Sequence, residues 1–409
     1  MMYRGAAIFI MLCCITATHA TMPGDAQRGR YLATLADCAA CHSVSKTAPY
    51  SGGLKIQTPV GAIFSTNITP DKRTGIGNYS YEDFSRAVRE GIGKKGKPLY
   101  PAMPYPSFSR IEDQDMLDLY TYFMNDVTPV SLENKKTTLP WPLSIRWPLH
   151  FWRWFFTETP ENLAQQNADP QWQRGAYLVQ GPGHCGACHT PRGLALQEKA
   201  LNESENGWLS GGKVDTWFAP PLTQDKRTGL GEWSSDDIIT FLSTGTNKHA
   251  TAFGPMAEVV TRSTSQFTDA DLAAIARYLK SLSTTPSSPQ LKPAVSREAL
   301  TPGASLYADN CSACHQSAGE GYPGIYPALS GNPAVQSHDP SSVISLLLEG
   351  GQPPSLRGGA DDDVMPDFSS QLSDEQIADI LNYIRNSWGN AAAEVNEKQV
   401  SDIRKSLKN

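Results

Sequence analysis

Apolar residues recur with helical spacing in three separated stretches of the chain, and each stretch follows the same order. Apolar residues at i, i+3 and i+7, with a tyrosine at i+6, are typical of an amphipathic helix that buries one face. The three sets are Met116, Leu119, Tyr122 and Phe123; Leu272, Ile275, Tyr278 and Leu279; and Ile377, Ile380, Tyr383 and Ile384. The pattern predicts three equivalent helices, one in each of three units.

Capping residues and a second helix accompany these three. Thr268 and Ser373 lie where N-caps are expected, and Ser373 with Gln376 matches a capping box. Upstream in each unit we predict another helix with a glycine and an aromatic residue. These pairs are Gly29 with Tyr31, Gly175 with Tyr177, and Gly303 with Tyr307. We expect the first and last helices of each unit to cross.

Length and charge narrow the classes of protein that fit. A chain of 409 residues is too long for one ordinary core and suits two to four modest domains. Charged residues make up 19% and the formal net charge is -6, so the whole chain has no basic field for nucleic acid or anionic lipid. Nucleic acid is not an expected partner.

The first twenty residues have the pattern of an export signal. Arg4 precedes an apolar stretch from Ala6 to Ile15, and Thr18-His-Ala20 is a small-x-small cleavage pattern. Cys13 and Cys14 would leave with this segment. No other run reaches the roughly 18 apolar residues needed to cross a bilayer. We expect an exported, non-spanning mature chain.

The six remaining cysteines form three Cys-x-x-Cys-His segments, Cys38–His42, Cys185–His189 and Cys311–His315. In such a segment two thiols bond the haem vinyl groups and the adjacent histidine reaches the iron. A redox dithiol, half of a zinc site or a structural disulfide would also explain the paired cysteines, but not the histidine that follows each pair. We predict three covalent haem c groups on Cys38, Cys41, Cys185, Cys188, Cys311 and Cys314, with His42, His189 and His315 as iron ligands.

A methionine beside a proline follows each motif. Met103, Met256 and Met365 lie 61, 67 and 50 residues after the motif histidines, each before a predicted closing helix. A lone methionine usually fills a core. As second axial ligands, however, these three would saturate the iron and favour electron transfer over catalysis. His249, seven residues before Met256, competes for that role if its loop folds otherwise.

Units one and two also share an internal repeat, Asp71–Gly77 and Asp225–Gly231, which reads Asp-Lys-Arg-Thr-Gly-x-Gly. No strand precedes it and no Gly-Lys-Ser/Thr follows, so a nucleotide site is not expected. We expect the loop to pack at a haem edge, with Arg73 and Arg227 facing propionates. The third unit lacks it.

The segment from Leu139 to Phe156 contains four tryptophans and three prolines, too aromatic for a free linker. Packing between domains, a dock for a partner subunit and contact with lipid all remain open for it. Ser281 to Pro293 is Ser/Thr/Pro-rich and expected to be extended. The segment from Asn390 to Asn409 is polar, with only Val400, Ile403 and Leu407 at helical spacing.

These features together resemble the triple-haem cytochrome c subunit of bacterial membrane-bound quinone-linked dehydrogenases, which oxidise alcohols, gluconate, fructose or sorbitol. The resemblance covers the mature chain and is most specific in the three ordered motifs, in Gly183–Arg192, in Ala252–Glu258 and in the Trp/Pro segment. It implies an all-α fold of three tandem cytochrome c domains. The expected divisions are a signal peptide at 1–20, domain 1 at 21–135, a connector at 136–165, domain 2 at 166–283, a linker at 284–295, domain 3 at 296–390 and a polar tail at 391–409.

The same resemblance implies a chain that is not an enzyme on its own. It would take electrons from a periplasmic catalytic subunit containing flavin or pyrroloquinoline quinone and pass them to ubiquinone, at the periplasmic face of the bacterial inner membrane. Members of the family are held at the membrane largely through C-terminal amphipathic segments, whereas this tail is short and hydrophilic. A free periplasmic multihaem carrier and a haem peroxidase-type enzyme are the alternatives.

Overall fold

The computed structural model describes residues 23–58, 60–157, 169–283, 296, 298–354 and 364–408. The expected signal peptide and the linker at 284–295 lie outside the described residues.

Unit 1 opens with two helices, continues through a hairpin and closes with three helices. They are α1 (Ala26–Leu35), α2 (Cys38–His42), β1 (Lys55–Thr58), β2 (Gly61–Phe64), α3 (Tyr81–Glu90), α4 (Tyr105–Phe108) and α5 (Asp113–Asn125). The connector that follows contains one helix, α6 (Leu149–Phe156).

Unit 2 repeats this order, and unit 3 replaces the hairpin with helices. Unit 2 contains α7 (Pro170–Gln180), α8 (Gly186–His189), β3 (Gly212–Val214), β4 (Trp217–Ala219), α9 (Ser235–Thr244), α10 (Pro255–Arg262) and α11 (Asp269–Ser281). Unit 3 contains α12 (Thr301–Asn310), α13 (Ser312–His315), α14 (Pro333–Gln336), α15 (Ser341–Glu349), α16 (Asp374–Arg385) and α17 (Glu397–Leu407). The predicted all-α class is confirmed, with two short antiparallel hairpins as the additions.

The first and last helices of each unit cross at a glycine. A Cβ on Gly29 would lie 2.0 Å from the Asp118 carbonyl oxygen, and one on Gly175 would lie 2.0 Å from that of Ala274. Gly303 meets the Asp379 carbonyl in the same way, at 2.1 Å. Only a residue without a side chain lets the two backbones approach so closely.

Side-chain caps begin the closing helices of units 2 and 3. Thr268 accepts a hydrogen bond from the amide of Asp271, and Ser373 forms the predicted capping box with Gln376. Satisfying free amide groups at a helix start stabilises it. These caps confirm the register assigned from the apolar pattern.

Two hydrophobic cores organise the three units. One core contains buried residues of both unit 1 and unit 2, from Leu32 to Leu282. The other belongs to unit 3 and runs from Tyr307 to Ile403. Units 1 and 2 therefore share one interior, and unit 3 has its own.

A reciprocal pair of hydrogen bonds joins units 1 and 2. The Tyr31 hydroxyl donates to Asp271 at 2.7 Å, and the equivalent Tyr177 donates to Asp115 at 2.6 Å. Each tyrosine lies on the first helix of one unit, and each aspartate lies on the closing helix of the other. This exchange relates the two units by an approximate twofold axis.

The Asp-Lys-Arg-Thr-Gly loops do not place their arginines as expected. Arg73 donates to Glu133 at 2.7 Å and to Ser131 at 2.7 Å, which ties the loop to the chain after α5. Arg227 donates to Gln336 and to the Ala391 carbonyl, both in unit 3. Both loops therefore use their arginines to bind chain that lies far away in sequence, and contact with haem propionates stays a prediction.

The expected polar tail packs as part of unit 3. Asn382 in α16 exchanges two hydrogen bonds with the backbone of Val395, at 2.9 and 2.7 Å. After Val395, helix α17 packs Val400 and Ile403 against the unit 3 core, where both are buried. The expected boundary between domain 3 and the tail, at residue 390, therefore lies within a segment that contributes to one hydrophobic core on both sides.

Three candidate haem-binding sites

Each Cys-x-x-Cys-His segment forms a short helix directly after the first helix of its unit. In unit 1, Asp37 adopts a left-handed conformation at φ 45°, and α2 follows it. In unit 2, His184 adopts φ 36° just before Cys185. In unit 3, Cys311 lies at the junction of α12 and α13. The motifs of units 1 and 2 therefore begin at a left-handed residue, whereas the third follows α12 directly.

All three motif histidines are held through the same ring nitrogen. The Nδ1 atoms of His42, His189 and His315 lie 2.6, 2.6 and 3.0 Å from the carbonyl oxygens of Thr66, Pro220 and Pro327. A backbone carbonyl accepts only from a protonated nitrogen, so Nδ1 carries the hydrogen in each ring. This tautomer leaves Nε2 as a lone-pair donor, and such an orienting bond is usual for metal-ligating histidines.

The same surroundings keep these rings neutral. Burial lowers the pKa of His42, His189 and His315, and the carbonyl bonds only partly oppose that effect. A neutral imidazole is the form that binds iron. Each of the three rings can therefore offer an unprotonated Nε2 to a metal.

Before haem is attached, the six motif cysteines are free thiols that form no disulfide. Burial raises the pKa of Cys38 and Cys185 to about 12 and that of Cys41 and Cys311 to about 11. Such groups remain protonated at neutral pH and do not act as redox thiolates. The described residues contain no group of three or more His, Cys, Asp or Glu side chains arranged to hold a metal ion. Each pair of cysteines lies within or at the N-cap of one short helix with its histidine, the arrangement that thioether attachment of haem requires.

The three predicted methionines are half-buried on segments before the closing helices. The Met103 amide donates to the Tyr100 carbonyl at 3.2 Å, and Met256 is the second residue of α10. Met365 exchanges both backbone hydrogen bonds with Gly351, at 2.9 Å each. Met103 packs on the same core as Cys38, and Met365 packs on the same core as Cys311.

His249 is engaged away from any motif. Its ring stacks on Trp233 with centroids 5.2 Å apart, and Nε2 lies 3.3 Å from an Asp237 carboxylate oxygen. Trp233 covers one face of the ring and Asp237 contacts its edge, so the competing assignment of His249 loses support.

Sequence reasoning missed the carbonyls that orient the histidines. They lie 24, 31 and 12 residues beyond their rings. The variable separation hides them, although two of the three carbonyls belong to prolines. The role of Gly186, inside the second motif, was also missed. A Cβ at this position would lie 2.5 Å from the Trp208 ring, so only glycine fits there.

Comparison with known proteins places these sites in a family. The cytochrome c family model matches three separate segments of the chain, residues 26–125, 173–283 and 300–388. These segments contain all three motifs and cover most of the chain. The chain belongs to the cytochrome c family, and it carries three covalently bound haem c groups.

Relatives that match over most of their length indicate which type of cytochrome this chain is. The gluconate 2-dehydrogenase cytochrome c subunit of Pantoea cypripedii is 48% identical over 93% of this chain and 89% of the relative. The cytochrome c subunit of the quinone alcohol dehydrogenase of Gluconacetobacter polyoxogenes is 47% identical over 95% and 86%. The fructose dehydrogenase cytochrome subunit of Gluconobacter japonicus is 40% identical over 92% and 82%. The chain is a triple-haem electron-transfer cytochrome of the dehydrogenase-subunit type.

No helix among the described residues has both the length and the apolar character needed to span a membrane.

Proposed function

We propose that this chain is the electron-transfer subunit of a periplasmic dehydrogenase that oxidises an alcohol, a sugar or a sugar acid, and that it delivers electrons to ubiquinone. The observation that carries the proposal is the near full-length similarity to cytochrome subunits of three different dehydrogenases. The catalytic partner would contain flavin or pyrroloquinoline quinone. The chain would be exported and would act at the periplasmic face of the inner membrane.

The residues that hold the haems are assigned as follows. Cys38 with Cys41, Cys185 with Cys188, and Cys311 with Cys314 form the thioether bonds. His42, His189 and His315 are the proximal iron ligands, and Met103, Met256 and Met365 are the distal ones. Bound in this way, haem supplies a reversible one-electron couple whose potential a methionine ligand raises.

The chain's own groups set up that chemistry. The carbonyls of Thr66, Pro220 and Pro327 hold each imidazole in the tautomer that presents Nε2. Burial keeps each ring neutral, so no proton competes for Nε2 at neutral pH. With two protein ligands for each iron, no position remains for substrate, and oxidation of the substrate belongs to the partner.

The test is purification of the cytochrome from native membranes in mild detergent. We expect it to co-purify with a dehydrogenase subunit, and candidate alcohols and sugars to reduce its haems only while that subunit is present. Addition of a soluble ubiquinone analogue should then reoxidise the haems. Recovery of the cytochrome alone, with no reduction by any substrate, would favour a free carrier. A high-spin resting haem that consumes peroxide would favour the peroxidase-type alternative.

A further inference from the structure

The connector helix α6 differs from an ordinary surface helix, because it turns a charged side chain toward the protein and aromatic side chains toward solvent. Its Arg153 points inward, where the guanidinium bonds to the backbone and carboxylate of Glu90. Its Phe151, Trp154 and Phe155 point outward and are 56%, 75% and 66% exposed. A surface helix normally turns its apolar side to the protein. The outer face of α6 therefore lacks a partner within the described part of the chain.

Other exposed apolar side chains lie on the same connector, where Trp147 contacts Phe151, and on the loop beside α6. We use the term aromatic surface for Trp141, Leu143, Ile145, Trp147, Phe151, Trp154, Phe155 and Leu194. Trp152 fixes α6 beside the Leu194 loop, since its Nε1 donates to the Ala195 carbonyl at 2.8 Å. Contiguous exposed apolar area of this kind marks an interaction site.

Positive charge surrounds the aromatic surface. Residues 92–106 and 134–157 contain seven lysines and arginines and no acidic residue, in a chain whose net charge is -6. Two of the seven pair with carboxylates outside these ranges, Lys94 with Asp83 at 3.6 Å and Arg153 with Glu90. Lys94, Lys95 and Lys97 are all exposed on one turn. Arg146 joins that turn to the connector, because it donates to the Pro98 carbonyl and stacks over Tyr100 at 4.4 Å.

We infer that the aromatic surface docks onto the interfacial region of a bilayer that contains anionic phospholipid. Tryptophan concentrates at the depth of lipid headgroups, and nearby lysines gain free energy from anionic lipid. A protein partner fits less well, because lysine is depleted from protein interfaces. The inference deepens the proposed function, since a chain that delivers electrons to ubiquinone must approach the membrane.

The C-terminal helix does not offer a second surface of this type. The apolar residues Val400 and Ile403 of α17 are buried in the unit 3 core. Its exposed side carries Lys398 and Asp402, which pair with each other.

The experiment is flotation of the purified holoprotein with vesicles of phosphatidylcholine, with and without phosphatidylglycerol. We expect binding to the anionic vesicles that weakens in high salt. The double variant Trp154→Ala/Phe155→Ala should lower the partition coefficient by about tenfold or more. The double variant Lys95→Glu/Lys97→Glu should lower it on anionic vesicles and change it little on neutral ones.

Matched variants control for general loss of apolar area or charge. Tyr322→Ala removes a 45% exposed aromatic ring from unit 3, and Lys226→Glu reverses an exposed charge in the repeat loop. Both should bind vesicles like the wild type. Haem content and far-ultraviolet circular dichroism check that every variant is folded.

Equal binding by the wild type and the Trp154→Ala/Phe155→Ala variant would overturn the inference. So would loss of the catalytic subunit, or dissociation of a dimer, as the main effect of that variant, because the surface would then serve a protein. Reduction of the haems by substrate is measured separately in detergent. If the haems are reduced by the partner but the protein does not bind vesicles, only this inference is overturned. If the protein binds vesicles but accepts no electrons, only the proposed function is overturned.

Discussion

At the scale of single residues, each Cys-x-x-Cys-His motif depends on a backbone carbonyl that lies well beyond it in the sequence. Each Cys-x-x-Cys-His segment supplies thiols and an imidazole within one helical turn. The tautomer of that imidazole, however, is set by a carbonyl between 12 and 31 residues away. The thiols and the imidazole were therefore visible in the sequence, and the orientation of the imidazole was not.

The methionine assignments are tested most directly by comparing two methionines of unit 1. We expect Met103→Ala to remove about one third of the long-wavelength sulfur-to-iron absorption of the ferric protein, since one of three such bonds would be lost. The midpoint potential of one haem should fall, within the roughly 0.8 V that axial ligands span. Optical redox titration measures both changes.

Met116 provides the control, because it is fully buried in the shared core. Met116→Leu keeps the volume nearly constant and should cost less than about 1.5 kcal/mol. It should leave the absorption band and all three potentials unchanged. A band that survives Met103→Ala intact would show that Met103 is not a ligand.

Asp237 should make the stability of unit 2 depend on pH. Burial opposes its ionisation, but hydrogen bonds from Ser234, Lys248 and His249 outweigh this effect and bring the pKa to about 2. An unfolded aspartate titrates near a pKa of about 3.9. Because the folded value is lower, the carboxylate adds stability above about pH 4, and this contribution is lost as the pH falls toward 2.

Asp237→Asn should accordingly lower the free energy of unfolding by ~1–2 kcal/mol at about pH 6, with solvent screening of Lys248 included. The difference from wild type should vanish near pH 2. Denaturant unfolding followed by circular dichroism at both pH values measures it. Asp236→Asn, on the exposed side of the same turn, is the control and should change little at either pH.

At the scale of elements, the crossing of two helices is the common architectural feature of the three units. The apolar spacing and the tyrosine at i+6 are local, so the closing helices were predictable. The hairpins were not, because β2 is stabilised from a distance: the Thr138 amide donates to the Ala62 carbonyl at 3.0 Å. The capped helix α17 did have local signals in Asn396 and Gln399, but its polar composition concealed them.

Glycine at the crossing is expected to be indispensable. In Gly175→Ala the new methyl group would overlap the Ala274 carbonyl, so α7 and α11 must move apart. We expect a loss of about 3 kcal/mol or more, at the upper end of the range for overpacking. Thermal unfolding monitored by circular dichroism measures the loss.

Gly93→Ala serves as the comparison. Gly93 has ordinary extended backbone at φ -69°, and the nearest neighbour of a new Cβ would lie 3.4 Å away. This change should alter stability by less than about 1 kcal/mol. If both variants unfold at the same temperature, close helix crossing is not the reason for the glycine.

At the scale of the whole molecule, three similar units are assembled in two different ways. Units 1 and 2 share a core and exchange tyrosines across an approximate twofold axis. Unit 3 meets unit 2 through polar contacts, such as those of Ser342 and Ser345 with β4 and the turn before it. The repeat was visible in the sequence, but its mode of assembly depends on pairs up to 240 residues apart. Such pairs leave no local pattern.

This arrangement predicts how the holoprotein unfolds. A shared interior couples units 1 and 2, so scanning calorimetry should resolve one transition for those two units together and a separate one for unit 3. The double variant Tyr31→Phe/Tyr177→Phe removes both reciprocal bonds to buried carboxylates, each worth about 1.5–3 kcal/mol. We expect the joint transition to move to lower temperature and to split.

Tyr307→Phe, which removes a bond to the Gln316 carbonyl within unit 3, should shift only the transition of unit 3. Three independent transitions in the wild type would contradict the shared interior, because units joined only by surface contacts unfold one by one.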